Sequence, residues 1–228
     1  MKRFAVYFAP AEDSPLSRQA SIWLGRDPFA DATLPAPSLN GIAHEVWRMA
    51  TAGPRRYGFH ATLKPPFRLA AGATEEELCA AILRLAQSCT AFEAPALKVG
   101  VIAGFLALIL SDRSPVLEAL AAACVRDLDP LRAPPAPEEL ARRRHSGLTL
   151  EQTALLERWG YPYVLDEWRF HMTLTSSLEP GLLKPIGAHV EKLFEPYCSE
   201  PLRIDSICLF EQPEMDQAFR VVERYFLP

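Results

Sequence analysis

Large apolar side chains recur at every second position over Arg3–Phe8, at Phe4, Val6 and Phe8. The segment therefore predicts a strand with Arg3, Ala5 and Tyr7 on one face and Phe4, Val6 and Phe8 on the other. Ser14-Pro15 opens a helix over about 15–25, stopped by Gly25, and the Pro-rich stretch 27–38 reads as a loop. A second helical pattern covers about 39–51 and is expected to end at Gly53-Pro54. Residues 57–63 then read as a strand closed by Pro65-Pro66. Thr74, with Glu77 three positions on, forms a capping box for a helix over 74–90. Strands are expected at 96–102 and 105–111, turned near Gly104, and a helix at 115–127.

The middle of the chain differs. Four prolines crowd residues 130–137, which predicts a linker or an excursion from the core. A helical stretch at 138–144 and a helix at 150–159 follow, the latter capped by Thr149 and Gln152 and stopped by Gly160. After it come a strand at 168–175, a helix at 181–195 and strands at 202–211 and 218–226. Strand, helix, strand, strand thus occurs twice. The pattern predicts an α+β fold of two duplicated lobes with antiparallel sheets. Lobe one is about 1–128, the linker and helical excursion about 129–165, and lobe two about 166–228.

Two pentapeptides strengthen the duplication. Phe-His-Ala-Thr-Leu occupies 59–63 and Phe-His-Met-Thr-Leu occupies 170–174, so the histidines stand 111 residues apart, each in the strand that opens its repeat. On a strand His60 and Thr62 share one face while Phe59, Ala61 and Leu63 take the other; His171 and Thr173 stand in the same relation to Phe170, Met172 and Leu174. Extending the alternation adds Lys64 to the first polar face and Arg169 and Thr175 to the second. Each repeat thus offers an imidazole, a hydroxyl and a cation together. HxH, HExxH and HxxxH do not occur, and no cysteine stands near either motif, so a metal site and a metal cofactor are not expected. No GxSxG is present to support serine chemistry.

Composition narrows the partners. With 49% hydrophobic and 23% charged residues the chain can bury a sizeable core. A net charge of −4 gives no general positive field for a long nucleic acid, so a small anion would be held by a local cluster. The longest apolar stretch, 99–110, is too short to span a bilayer. The odd number of cysteines, five, and the lack of CxxC point to reduced thiols and a cytoplasmic setting.

Paired H-x-[ST]-hydrophobic motifs, one per lobe, resemble the two-histidine (2H) phosphoesterase superfamily, which includes RNA ligase-like cyclic phosphodiesterases. RRYGFHATLKPPF, GYPYVLDEWRFHMTLT and WLGRD are similar to a bacterial branch described as a phosphonate-metabolism protein. The resemblance implies a bilobal fold with a central cleft and motif strands facing each other across it. It implies metal-independent, cofactor-free hydrolysis of a small cyclic phosphate ester, such as a cyclic ribose phosphate. Opening of RNA-end 2′,3′-cyclic phosphates or end joining, and non-catalytic binding of a nucleotide or sugar phosphate, are the alternatives. One histidine would act as base and the other as acid, Thr62 and Thr173 would bind non-bridging oxygens, and Lys64 and Arg169 would offset charge. Tyr7 and Tyr57 are further candidates, readable also as core or rim aromatics. The basic run Arg142–His145, with Arg144, reads either as solvated surface or as a clamp for a second phosphate.

Overall fold

The computed structural model describes residues 1–39, 41–144 and 147–228, with the side chains of Pro137 and residues 142–144 left aside. The chain runs β1 (Arg3–Phe8), α1 (Pro15–Leu24), β2 (Arg26–Asp27), β3 (Ala32–Thr33), α2 (His44–Tyr57), β4 (Ala61–Phe67), α3 (Glu75–Gln87), β5 (Phe92–Ala94), β6 (Leu97–Ile102), β7 (Phe105–Leu110) and α4 (Pro115–Asp127). It continues with α5 (Pro137–Arg144), α6 (Leu150–Trp159), β8 (Met172–Thr173), α7 (Pro180–Phe194), β9 (Leu202–Ile204), β10 (Ser206–Gln212) and β11 (Arg220–Phe226). The expected caps form: Thr74 with Glu77 and Thr149 with Gln152 make capping boxes, and Gly25 and Gly160 end α1 and α6 in the left-handed conformation.

The fold is α+β and its strand pairs are antiparallel. Among the described residues one seven-stranded sheet has the order β11-β10-β1-β4-β8-β7-β6. The two sheets expected to flank a cleft thus join as halves of a single sheet, and the two motif strands, β4 and β8, are neighbours at its middle. Equivalent elements of the repeat pair with each other: β4 with β8, and β5 with β9. This is what a twofold relation between the repeats produces. It also exchanges strands. The first motif strand lies on the side of β10 and β11, and the second lies beside β7 and β6. The division of the chain at 129–165 is therefore not the division of the sheet.

Helices cover one face. Phe4, Val6, Phe8, Ala61, Leu63, Met172, Leu174, Leu108 and Leu209 point into a core that they share with Trp23, Leu78, Ile82, Leu117, Val190 and Phe194. The other face carries Ala5, Tyr7, Ala9, Cys208, Phe210 and Phe219. Among the described residues no helix is long and apolar enough to cross a membrane.

Several element boundaries differ from expectation, and three of them bear on the site. Helix α2 runs through Gly53-Pro54 instead of stopping there. Proline lacks the N–H that would bond the carbonyl four residues back, and that carbonyl, on Ala50, accepts from the Ser176 N–H at 2.6 Å instead. Strand β4 continues through Pro65-Pro66 because its pairing with β1 is irregular: register shifts fall between Val6 and Tyr7 and between Phe4 and Val6. Bulges are where a strand interior tolerates proline. The second motif strand is two residues long, because beyond Thr173 the N–H groups of Leu174 and Thr175 both turn to the Leu106 carbonyl.

Candidate active site

The pairing of Ala61 with Met172 sets the site. Both residues are fully buried toward the helices, so their neighbours face the opposite side. One residue either way in that register, His60 stands across from Thr173 and Thr62 across from His171. The four half-buried side chains form a quadrilateral with histidines on one diagonal and threonines on the other. In regular antiparallel pairs diagonal neighbours are about 7–8 Å apart, a span suited to one tetrahedral group between two imidazoles.

Both rings are oriented in the same way. His60 Nδ1 lies 2.9 Å from the Gly58 carbonyl oxygen and His171 Nδ1 lies 2.8 Å from that of Arg169. A carbonyl only accepts, so Nδ1 carries the hydrogen and Nε2 is the free, basic nitrogen. In His60 that nitrogen is 3.3 Å from the Thr62 hydroxyl, which donates to it. The His60 ring stacks on Tyr7 at 3.7 Å between centroids and 22° between planes, with Phe210 at 6.0 Å and Tyr57 at 6.1 Å. Phe105 borders His171 at 5.8 Å.

These surroundings hold both rings neutral. Burial pulls the His60 pKa from 6.5 down to about 4; the bond to Gly58 opposes this and the nearby His171 adds to it. Burial also lowers that of His171, against the bond to Arg169. A stability effect follows. The unfolded chain takes up a proton at His60 near pH 6.5, the folded chain only near pH 4. The contribution is therefore whole above pH 6.5 and is lost as pH falls toward 4, by roughly 2–3 kcal/mol. Urea unfolding at pH 7.5 and 4.5 should show the wild type losing that much more than His60→Gln. Equal losses would mean that the ring is not desolvated.

The other sequence candidates separate. Lys64 does not join His60 and Thr62. The bulge pairs it with Val6 rather than continuing the alternation, and it is 2% exposed, donating to the Val125 carbonyl at 3.0 Å. Thr175 is fully buried, and its hydroxyl accepts from the Leu106 N–H at 2.9 Å, so it ties the chain after β8 to β7. Arg169 precedes the short β8, so strand alternation does not govern it. It is exposed and lines a cavity of about 920 Å³ with Arg113, Glu118 and Arg126. Tyr7 is 1% exposed and serves as the floor beneath His60 rather than as a ligand contact; burial raises its phenol pKa well above normal, keeping it neutral. Tyr57 is half-buried, stacked on Phe219 at 5.2 Å, and stays at the rim. The Arg144 side chain and His145, with the rest of that basic run, lie outside the described residues. Among those residues no three of His, Cys, Asp or Glu are grouped to hold a metal ion.

Several contributors were not singled out from sequence. Trp168 donates from Nε1 to the Thr62 carbonyl at 2.7 Å, which links the segment before His171 to the strand carrying His60. Its place three residues before His171 was the available signal. Trp168→Phe removes that donor and should cost about 1 kcal/mol in urea unfolding; no change would mean that solvent replaces the bond. Phe210, Phe219 and Phe105 complete the walls, and Gly58 supplies the carbonyl that orients His60.

Residues 62–220 match the family described as "Protein of unknown function (DUF1045)". The chain belongs to the DUF1045 family. The DUF1045 chain is also similar to two curated proteins, each named "Ribose 1,5-bisphosphate phosphokinase PhnN". One, from Janthinobacterium sp. (strain Marseille), is 41% identical over 217 residues, 92% of this chain and 47% of that protein. The other, from Laribacter hongkongensis (strain HLHK9), is 38% identical over 231 residues, 99% of this chain and 52% of that protein. The DUF1045 chain spans about half the length of both. Among solved structures it is similar to one described as a phosphoesterase, with 14% identity, a TM-score of 0.43 and coverage of 99% and 98% of the two chains. It is similar as well to E. coli LigT complexed with 3′-AMP, with 12% identity, a TM-score of 0.45 and the same coverage. At these identities neither neighbour bears on activity, for which the DUF1045 chain's own side-chain geometry supplies the observations.

Proposed function

We propose that this chain is a metal-independent 2H-type phosphodiesterase that hydrolyses a small cyclic phosphate ester, with His60 and His171 as general base and acid. The observation that carries this reading is the matched pair of rings. Each has Nδ1 bonded to the carbonyl two residues back, and the two face the same side of adjacent strands, across from each other's threonine.

Placed between the rings, a phosphoryl group has its entering and leaving oxygens along the histidine diagonal and its two non-bridging oxygens along the threonine diagonal. Neutral His60 Nε2 takes a proton from water as the water oxygen bonds to phosphorus. Protonated His171 Nε2 gives its proton to the ring oxygen as the P–O bond breaks. Thr62 and Thr173 donate to the non-bridging oxygens. Two neutral imidazoles in the free site fit this division. The anionic ester raises both pKa values, and we assign the proton to His171, whose ring has no stacked partner among the described residues, whereas His60 is stacked on Tyr7. His60, stacked on Tyr7 and pulled down to about 4, stays the base.

Ribose phosphate is the substrate class in the names of both relatives, and a cyclic ribose phosphate is of a size to lie against the aromatic floor. This sequence holds no GxxxxGK[ST] phosphate loop. The test is a panel of cyclic phosphodiesters, sugar and nucleoside, assayed with a chelator present. Turnover of a sugar ester is expected. Turnover of 2′,3′-cyclic RNA ends alone would move the substrate to RNA, and binding without turnover throughout would replace the enzyme with a binding protein.

A further inference from the structure

His171 is held by little regular structure. Strand β8 has two residues, and its register with β4 is the one pair Ala61 and Met172. His171 and the three residues before it lie outside the strands. Among those three is Arg169, whose carbonyl orients the His171 ring. His60 is held differently. The Gly58 carbonyl that orients it belongs to a residue whose N–H closes the last turn of α2 on the Pro54 carbonyl at 3.0 Å, with the Pro28 ring packed against its Cα. Arg169 is exposed and has no such support of its own.

Its neighbours supply it. Phe170 is buried and meets Phe8 at 6.5 Å between centroids, and Trp168 meets Phe170 edge-on at 6.4 Å and 71°. The Trp168 indole N–H, which only donates, reaches the Thr62 carbonyl at 2.7 Å, 106 positions away in sequence. Thr62 is the residue that stands across from His171 in the register of β4 and β8. The bond therefore ties the segment that aims His171 to the strand that carries His60. The turn before Trp168 serves the same end. Leu165 takes φ 54, a left-handed conformation disfavoured for a branched side chain. The Trp168 N–H bonds the Leu165 carbonyl at 2.9 Å, and Glu167 accepts from Gln152 Nε2 at 2.8 Å. The strained turn is thus held from two sides and delivers the indole to β4. Filling space with an aromatic ring would need neither the strain nor the bond.

Resting on the acid–base reading above, we propose that Trp168 is a positioning residue: through the Thr62 carbonyl it sets the orientation of His171 and its spacing from His60. It acts through His171 and not on the substrate. Misplacing a reacting group by about 1 Å costs on the order of 10²-fold in rate, so the bond should matter more to turnover than to stability. Trp168→Phe keeps an aromatic ring and loses the donor. Thr74→Ala removes the N-cap of α3, at an exposed residue, and serves as a control with a similar loss of stability. With the cyclic ester turned over in the panel above, Trp168→Phe should lower kcat about 10- to 100-fold and leave KM within about twofold. Thr74→Ala should leave both unchanged. Imidazole nitrogen NMR near neutral pH gives a second reading. His171 should carry its proton on Nδ1 in the wild type and show both tautomers in Trp168→Phe, with His60 unchanged. A kcat loss no greater than that of Thr74→Ala, or a His171 tautomer that stays fixed, would overturn the proposal. If the wild type cleaves no cyclic ester, the hydrolytic reading fails, and the imidazole spectrum alone decides whether Trp168 sets His171.

Discussion

Replacing His60 or His171 with alanine is expected to lower turnover of the cyclic ester by about 10²–10⁴-fold each, with folding retained. Either change removes one proton-transfer step while leaving both threonines and the aromatic floor. Because the two rings act on one transition state, the double variant should lose far less than the product of the single losses. Thr62 Oγ1 loses its 3.3 Å contact in His60→Ala, so that variant should also show a modest change in KM. Steady-state kinetics on the purified variants, with far-UV circular dichroism as the folding control, is the measurement. Near-normal turnover in both single variants would end the acid–base mechanism.

Gly58→Ala should give the largest stability loss of any single methyl added beside the histidines, about 2–5 kcal/mol. Gly58 sits at φ 76 and ψ 176, a conformation in which a side chain is strained. A Cβ there would lie 2.5 Å from the Pro28 ring, so the loop after β2 would have to move as well. In a chain of this size that loss corresponds to a fall in Tm of roughly 5–15 °C. The Gly58 carbonyl is also what fixes the His60 tautomer, so residual activity should fall further than stability alone accounts for. A Tm within a degree or two of wild type would show that the backbone here is not constrained.

The pairs His60/Thr62 and His171/Thr173 were legible because alternation on a strand is a property of adjacent residues. The burial of Ala61, Leu63, Met172 and Leu174 on the other face bears that out. Extrapolating the same alternation failed at Lys64, where the bulge against β1 intervenes, and at Thr175, where the chain has already turned to Leu106. Both deviations depend on strands distant in sequence, which no local pattern encodes. The end of α2 was misplaced for the same reason: the Ala50 carbonyl freed by Pro54 is bonded by Ser176, more than a hundred residues away. The duplication was readable as an order of elements, whereas the exchange of strands between the repeats was not, since pairing partners are chosen in three dimensions.

That exchange governs how the molecule comes to exist on the ribosome. Strand β1 is wedged between β4 and β10, and Arg3 meets Gln212 across a separation of 209 residues. A nascent chain halted anywhere before β10 therefore presents β1 with one edge unpaired, an invitation to intermolecular association. Closure of the sheet waits for contacts of high sequence separation, which slows the final step. Of all the strands that border the histidines, the earliest translated acquires its full set of neighbours only when translation has nearly reached β11.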